Sequence, residues 1–146
     1  MASCQLLESQ LATSALCALL ERLQPHWTAK QAATLAARVK LIDCFAVDLR
    51  RLGPANFIYS DGDALFAHAD RRQQKDGSAS PPGLWRLSRH CEQGGLVQTA
   101  GLRASAAPGV AQDVVLFASV PHTDEDWLPM PSGQILVARQ GQLISS

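Results

Sequence analysis

Residues 55–68, reading Ala-Asn-Phe-Ile-Tyr-Ser-Asp-Gly-Asp-Ala-Leu-Phe-Ala-His, constrain the fold most strongly. They read as a strand, a tight Asp61-Gly62 turn in which Gly62 is free to take positive φ, and a returning strand. Asp61 and Asp63 flank the turn glycine, so their first expected role is hydrogen bonding within the turn. His68, near the end of the second strand, is expected at a hydrogen-bonded rim. The second informative segment is a distant polar loop, His122-Thr123-Asp124-Glu125-Asp126-Trp127.

The chain has 146 residues, 47% of them hydrophobic, and a formal net charge of zero. That is the size of one soluble globular domain, residues 1–146, able to bury roughly two thirds of its unfolded surface if self-contained. The 13 basic side chains match 13 acidic ones, and Lys and Arg cluster only at Arg50-Arg51 and Arg71-Arg72. This leaves no electrostatic footprint for nucleic acid or an anionic membrane. The start, Met1-Ala2-Ser3-Cys4-Gln5, is not basic, and Glu8 and Gln10 interrupt the apolar residues that follow, so no signal peptide is expected. No apolar run is long enough to cross a membrane. Cys4, Cys17, Cys44 and Cys91 form no CxxC pair, which suits reduced thiols in a cytoplasmic protein better than a disulfide framework.

Leu16, Leu19, Leu20 and Leu23 recur at helical spacing opposite Glu21 and Arg22, predicting a short amphipathic helix that Pro25 ends. A second helix is expected from Thr28, with Gln31 completing a capping box. Its apolar stripe is Leu35, Val39, Ile42, Ala46, Leu49 and Leu52, and Gly53-Pro54 is its stop. Residues 75–83, rich in Gly, Ser and Pro, read as a loop, and 84–90 as a weakly alternating strand. Residues 93–109 contain too much Gly and Ala for an assignment. Residues 113–120 predict a buried strand and 134–139 a last one, with Gln140-Gly141 turning it back through Leu143 and Ile144. Two helices followed by mostly antiparallel strands make an α+β order.

The ordered set resembles the carboxy-terminal portion of the class II glutamine amidotransferases of the N-terminal nucleophile hydrolase type. The family's hairpin, an Asn followed by apolar residues and Ser-Asp-Gly, stands here as Asn56-Phe57-Ile58-Tyr59-Ser60-Asp61-Gly62. Its later turn, acidic cluster with Trp and Pro-Gly-Glu stand as Ala118-Ser119-Val120-Pro121-His122-Thr123, Asp124-Glu125-Asp126-Trp127 and Pro131-Ser132-Gly133-Gln134. The resemblance covers about residues 10 to 144. It implies an α/β/β/α sandwich and hydrolysis of glutamine, or of a γ-glutamyl amide, to glutamate and an amine or ammonia.

Such an enzyme attacks with a Cys at the mature amino terminus, whose free α-amine serves as base. Removal of Met1 here would expose Ala2, and Cys4 would then lie two residues further in. The family's Asn-Gly pair, which stabilises the oxyanion, has no counterpart, because Asn56 is the one Asn of the sequence and Phe57 follows it. The family's Thr-Asp-Ser-Glu carboxylate falls at Leu11. Catalytic, cofactor-binding and metal residues are therefore expected to be none, and no cofactor is implied. The implied partners are an amino-terminal half or partner chain and, for the parent family, small-molecule glutamine or a γ-glutamyl amide. A truncated reading frame, a completing subunit of a split enzyme and a catalytically dead interaction module all remain open.

Other constellations read as structural. His122, Asp124 and Asp126 lack a matched set of His or Cys partners for zinc, and their loop is expected to be solvated with Trp127 packed on the core. His90 and Cys91, adjacent on a strand, point to opposite faces and do not make a nucleophile and base.

Overall fold

Thr34 caps the principal helix: its hydroxyl accepts from the Ala37 N–H at 3.3 Å, and α1 then runs Leu35–Leu52. The computed structural model describes residues 33–91, 96–99, 102–105 and 111–144, together with Ser14, Cys17, Ala18, Glu21 and Arg22. The sequence placed the helix start at Thr28. Residues 28–32 lie outside the described residues, but Ala33 and Thr34 are not helical. The hydroxyl that reaches an orphan N–H one turn inside the helix is that of Thr34, so the helix starts there. Gly53 ends it, its N–H donating to the Leu49 carbonyl at 3.3 Å. Along the stripe Ile42 and Ala46 are buried, joined by Phe45, while Leu52 at the frayed end is exposed. The earlier predicted helix falls mostly outside the described residues; Ser14, Cys17, Ala18, Glu21 and Arg22 are helical.

The chain divides into two units, residues 1–53 and 54–146. In the first, Arg22 pairs with Asp48 at 2.9 Å and lies over the Phe45 ring. The second is built from antiparallel strands. β1 (Phe57–Ser60) and β2 (Leu65–His68) form the expected hairpin, in register Phe57 to His68 and Ser60 to Leu65. β10 (Ile135–Arg139) pairs with β2, and β11 (Gln142–Ile144) with β10, giving the order β1-β2-β10-β11. At Gln140 and Gly141 φ is positive at both positions, as a two-residue hairpin requires. A second sheet has the order β8-β5-β9, from Gln112–Ala118, Trp85–Cys91 and Leu128–Pro129.

The pleat decides which side chains meet. Leu65 and Ala67 share one face of β2, level with Ala138 and Leu136 of β10. Ala67 packs with Ala69, Leu84 and Met130, against Leu65, Leu136 and the β8 residue Phe117. This cluster joins the inner faces of the two sheets. On the opposite face of the first sheet Phe66, His68 and Val137 are buried as well.

Three sequence expectations change. The predicted loop at 75–83 closes a short ladder, β3 (Arg72–Gln73) with β4 (Ala79–Ser80). The unassigned stretch 93–109 contains the hairpin β6 (Leu96–Thr99) and β7 (Leu102–Ser105), whose Gly and Ala content had hidden its period. β8, expected to be buried, is half-buried at all seven positions. The α+β class stands as read from the sequence.

Candidate functional site

The best-defined polar cluster surrounds Asn56. Its Oδ1 accepts from the Asp70 backbone N–H at 2.7 Å, and its Nδ2 donates to the Arg71 carbonyl at 2.8 Å. The residue is exposed overall, yet both ends of its carboxamide are tied to the segment that leaves β2. Gly83 makes this fit: a Cβ there would stand 1.9 Å from Asn56 Oδ1, and the Gly83 N–H itself donates to the Asp70 carbonyl at 2.9 Å. The buried Asp70 carboxylate accepts from the Ser132 hydroxyl at 2.7 Å and the Ala55 N–H at 3.3 Å, with Arg71 Nε 3.9 Å away. A carboxylate taken out of water needs such donors to remain bearable. Four separate stretches, around residues 55, 70, 83 and 132, are thereby fastened together.

His68 belongs to the same region and departs from expectation. It is 1% exposed rather than at a rim, because β1 and β10 flank β2 on both sides. Its Nδ1 lies 2.9 Å from the Ala55 carbonyl, an acceptor only, so Nδ1 carries the proton in that contact. The ring stacks on Phe57 at 5.1 Å. Both roles are those of a core residue.

Asp61 does what the turn asked of it: one carboxylate oxygen accepts from the Asp63 and Ala64 N–H groups at 3.0 and 2.9 Å. Asp63 does otherwise, its carboxylate pairing with Arg139 of the neighbouring hairpin at 2.7 Å. That pairing depends on β10 lying beside β2, which nothing local announces.

A cluster not singled out from sequence lies where β5, β8 and β11 converge. His90 stands opposite Asp113 in the ladder, and its Nδ1 is 2.6 Å from Asp113 Oδ1; Gln142 Nε2 donates to Asp113 Oδ2 at 2.7 Å. These two contacts, Gln142 first, hold the Asp113 carboxyl below its ordinary range. Gly141 permits the approach, since a Cβ there would lie 1.8 Å from the Asp113 carbonyl oxygen. A cleft of about 390 Å³ opens beside them, lined also by Ser88 and Val115. The pair orients an imidazole, but none of the residues lining the cleft is a cysteine. Cys91 is on the other face of β5, as its position next to His90 requires.

The acidic loop forms a second linked set. Glu125 pairs with Arg89 and accepts from the Thr123 hydroxyl at 2.6 Å. Arg89 and then Thr123 lower the Glu125 pKa, and the same contact raises that of Arg89. The Trp127 indole N–H donates to Thr123 Oγ1 at 3.0 Å, and the ring is buried. His122, Asp124 and Asp126 are exposed, and among the described residues no group of three or more His, Cys, Asp or Glu is placed to hold a metal ion. Cys4 and Leu11 lie outside the described residues.

Comparison with known proteins gives a consistent answer. The family model for class-II glutamine amidotransferases matches residues 10–146. The chain is similar to a protein of Methanocaldococcus jannaschii that carries no described function, 26% identical over 104 residues, covering 68% of this chain and 27% of that protein. It superposes on the crystal structure of a predicted glutamine amidotransferase from Pseudomonas aeruginosa PA01 with a TM-score of 0.68 and 23% identity, covering 91% of this chain and 49% of that one. The chain thus spans about half the length of that structure and about a quarter of the curated relative. With its model matched across nearly the whole sequence, the chain belongs to the class II glutamine amidotransferase family.

Proposed function

We propose that this chain is the carboxy-terminal half of an amidotransferase domain of the N-terminal nucleophile hydrolase type, and that by itself it does not hydrolyse glutamine. The observation that carries the reading is the use made of Asn56. The one Asn of the sequence has both ends of its carboxamide engaged in bracing Asp70 and Arg71, and is followed by Phe57 rather than Gly. It does not serve as the family's oxyanion donor. The His90 and Asp113 cleft offers an oriented imidazole without a thiol beside it, so no nucleophile and base are assembled there.

On this reading the chain supplies the scaffold, and a polypeptide bearing the terminal Cys and the Asn-Gly pair completes the site, joined to this one or separate from it. Two antiparallel sheets packed through the cluster around Ala67 support the sandwich. The substrate of the completed domain is glutamine or a γ-glutamyl amide. Free, exposed thiols at Cys17 and Cys44 suit a reducing, cytoplasmic setting, and no helix among the described residues is long and apolar enough to cross a membrane. The test is glutamate release from glutamine by the purified chain, alone and after mixing with the polypeptide encoded upstream of Met1. Activity in the mixture alone is expected; activity of the chain alone would overturn the reading.

A further inference from the structure

We propose that His90, Asp113 and Gln142 form a pH-sensitive clasp that holds β11, at the edge of the first sheet, against β8 of the second. A single carboxylate reaches both sides. Asp113 Oδ1 is 2.6 Å from His90 Nδ1 on β5, and Asp113 Oδ2 accepts from Gln142 Nε2 on β11 at 2.7 Å. No side chain separates the β10–β11 turn from β8 here, since Gly141 lies flush with the Asp113 carbonyl. β11 has three residues, the fewest in its sheet, and the clasp takes hold at the first of them. A contact there bears directly on how readily the strand opens.

The switch is the charge of the imidazole. A carboxylate only accepts hydrogen bonds, so Nδ1 carries a proton in this contact whether the ring is neutral or charged. When the second ring nitrogen takes a proton as well, the contact becomes an ion pair, stronger than the neutral bond, and it fixes the Asp113 side chain more firmly in the orientation that serves Gln142. The His90 side chain is 59% exposed, so bulk water delivers that proton, and an ordinary imidazole titrates near about pH 6.5. Asp113 stays ionised across that range, because Gln142 and then His90 hold its carboxyl below the usual value. Around His90, β5 contributes Arg89, which lines the same cleft and is paired with Glu125, and Cys91 on the opposite face. β11 carries no charge, and Arg139 at the head of its turn is paired with Asp63. The added strength is therefore in place below about pH 6 and gone by about pH 8. Acidification through neutrality tightens the clasp, and its loss frees the mouth of the 390 Å³ cleft that Gly141 and Gln142 line.

Nuclear magnetic resonance on the 146-residue chain, between about pH 5.5 and about pH 8, tests it across the imidazole range. The Gln142 side-chain amide resonances should move with the same midpoint as the His90 ring. Backbone amide exchange at residues 142–144, corrected for its intrinsic pH dependence, should be about threefold slower at the acid end, the size of effect an exposed ion pair gives. His90→Gln keeps a neutral donor but cannot charge, and should leave exchange at 142–144 independent of pH. Gln142 resonances that do not follow His90 would overturn the clasp. So would pH-dependent protection that persists in His90→Gln, since it would belong to another group.

Discussion

Asn56 and Gly83 are in direct contact: a single added carbon at Gly83 would sit 1.9 Å from Asn56 Oδ1 and 2.8 Å from its Nδ2. The carboxamide can make room for that carbon only by giving up its hydrogen bonds to the Asp70 N–H and the Arg71 carbonyl. Gly83→Ala should therefore destabilise the chain by about 2 kcal/mol or more, through overpacking and the loss of Asn56's hydrogen bonds. Asn56→Ala, which leaves the Asp70 N–H and the Arg71 carbonyl without this partner, should cost about 1–2 kcal/mol. The double variant should cost less than the sum, because the Ala side chain at 83 then enters space vacated by Asn56. Urea melts of the three variants measure this, and strict additivity would mean that the contact carries no energy.

Gly62 and Gly141 both have positive φ, 89° and 78°, but different surroundings. Nothing lies within 4 Å of a Cβ at Gly62, whereas one at Gly141 would be 1.8 Å from the Asp113 carbonyl oxygen. Backbone strain alone should make Gly62→Ala cost about 1 kcal/mol, with Gly62→Val worse and Gly62→Asn milder. Gly141→Ala carries the same strain plus a backbone collision and should cost at least about 2 kcal/mol. Thermal melts that rank the two Ala variants equally would contradict the approach of the β10–β11 turn to β8.

These contrasts mark what was legible in the sequence. The 55–68 hairpin was, because Asp61 and Gly62 act on their own neighbours. So was the Gln140-Gly141 turn, where positive φ is a local demand. The helix stripe was visible at Ile42 and Ala46, but its start was not: the spacing of Thr28 and Gln31 suggested a capping box, whereas the capping contact is made by the Thr34 hydroxyl. Strand partners were not legible. The placing of β10 beside β2 buries His68 and sends Asp63 to Arg139, and the pairing of β5 with β8 joins residues 23 apart at His90 and Asp113. Asn56's brace depends on segments near 70, 83 and 132 that only the folded sheet brings together.

The Asp113 and Glu125 carboxyls both sit below their ordinary ranges, held there by Gln142 with His90 and by Arg89 with Thr123. A carboxyl whose folded pKa is depressed adds stability that is present above its unfolded value and is lost as pH falls through the folded one. The chain should therefore keep its stability on acidification to about pH 5 and lose it progressively below about pH 4, where the unfolded chain takes up protons more readily. Asp113→Asn should flatten that acid limb without changing its sign. Urea midpoints between pH 6 and pH 3 would show it; an acid limb of unchanged slope in Asp113→Asn would remove Asp113 from the account.

The most direct test of the central claim is a glutaminase assay on the purified 146-residue chain. The expected result is no release of glutamate above the uncatalysed background, and no change with Cys4→Ala, since the sequence holds no Asn-Gly pair and no thiol lines the His90 and Asp113 cleft among the described residues. Glutamate release by the chain alone, abolished by Cys4→Ala, would contradict the account and assign the nucleophile to Cys4.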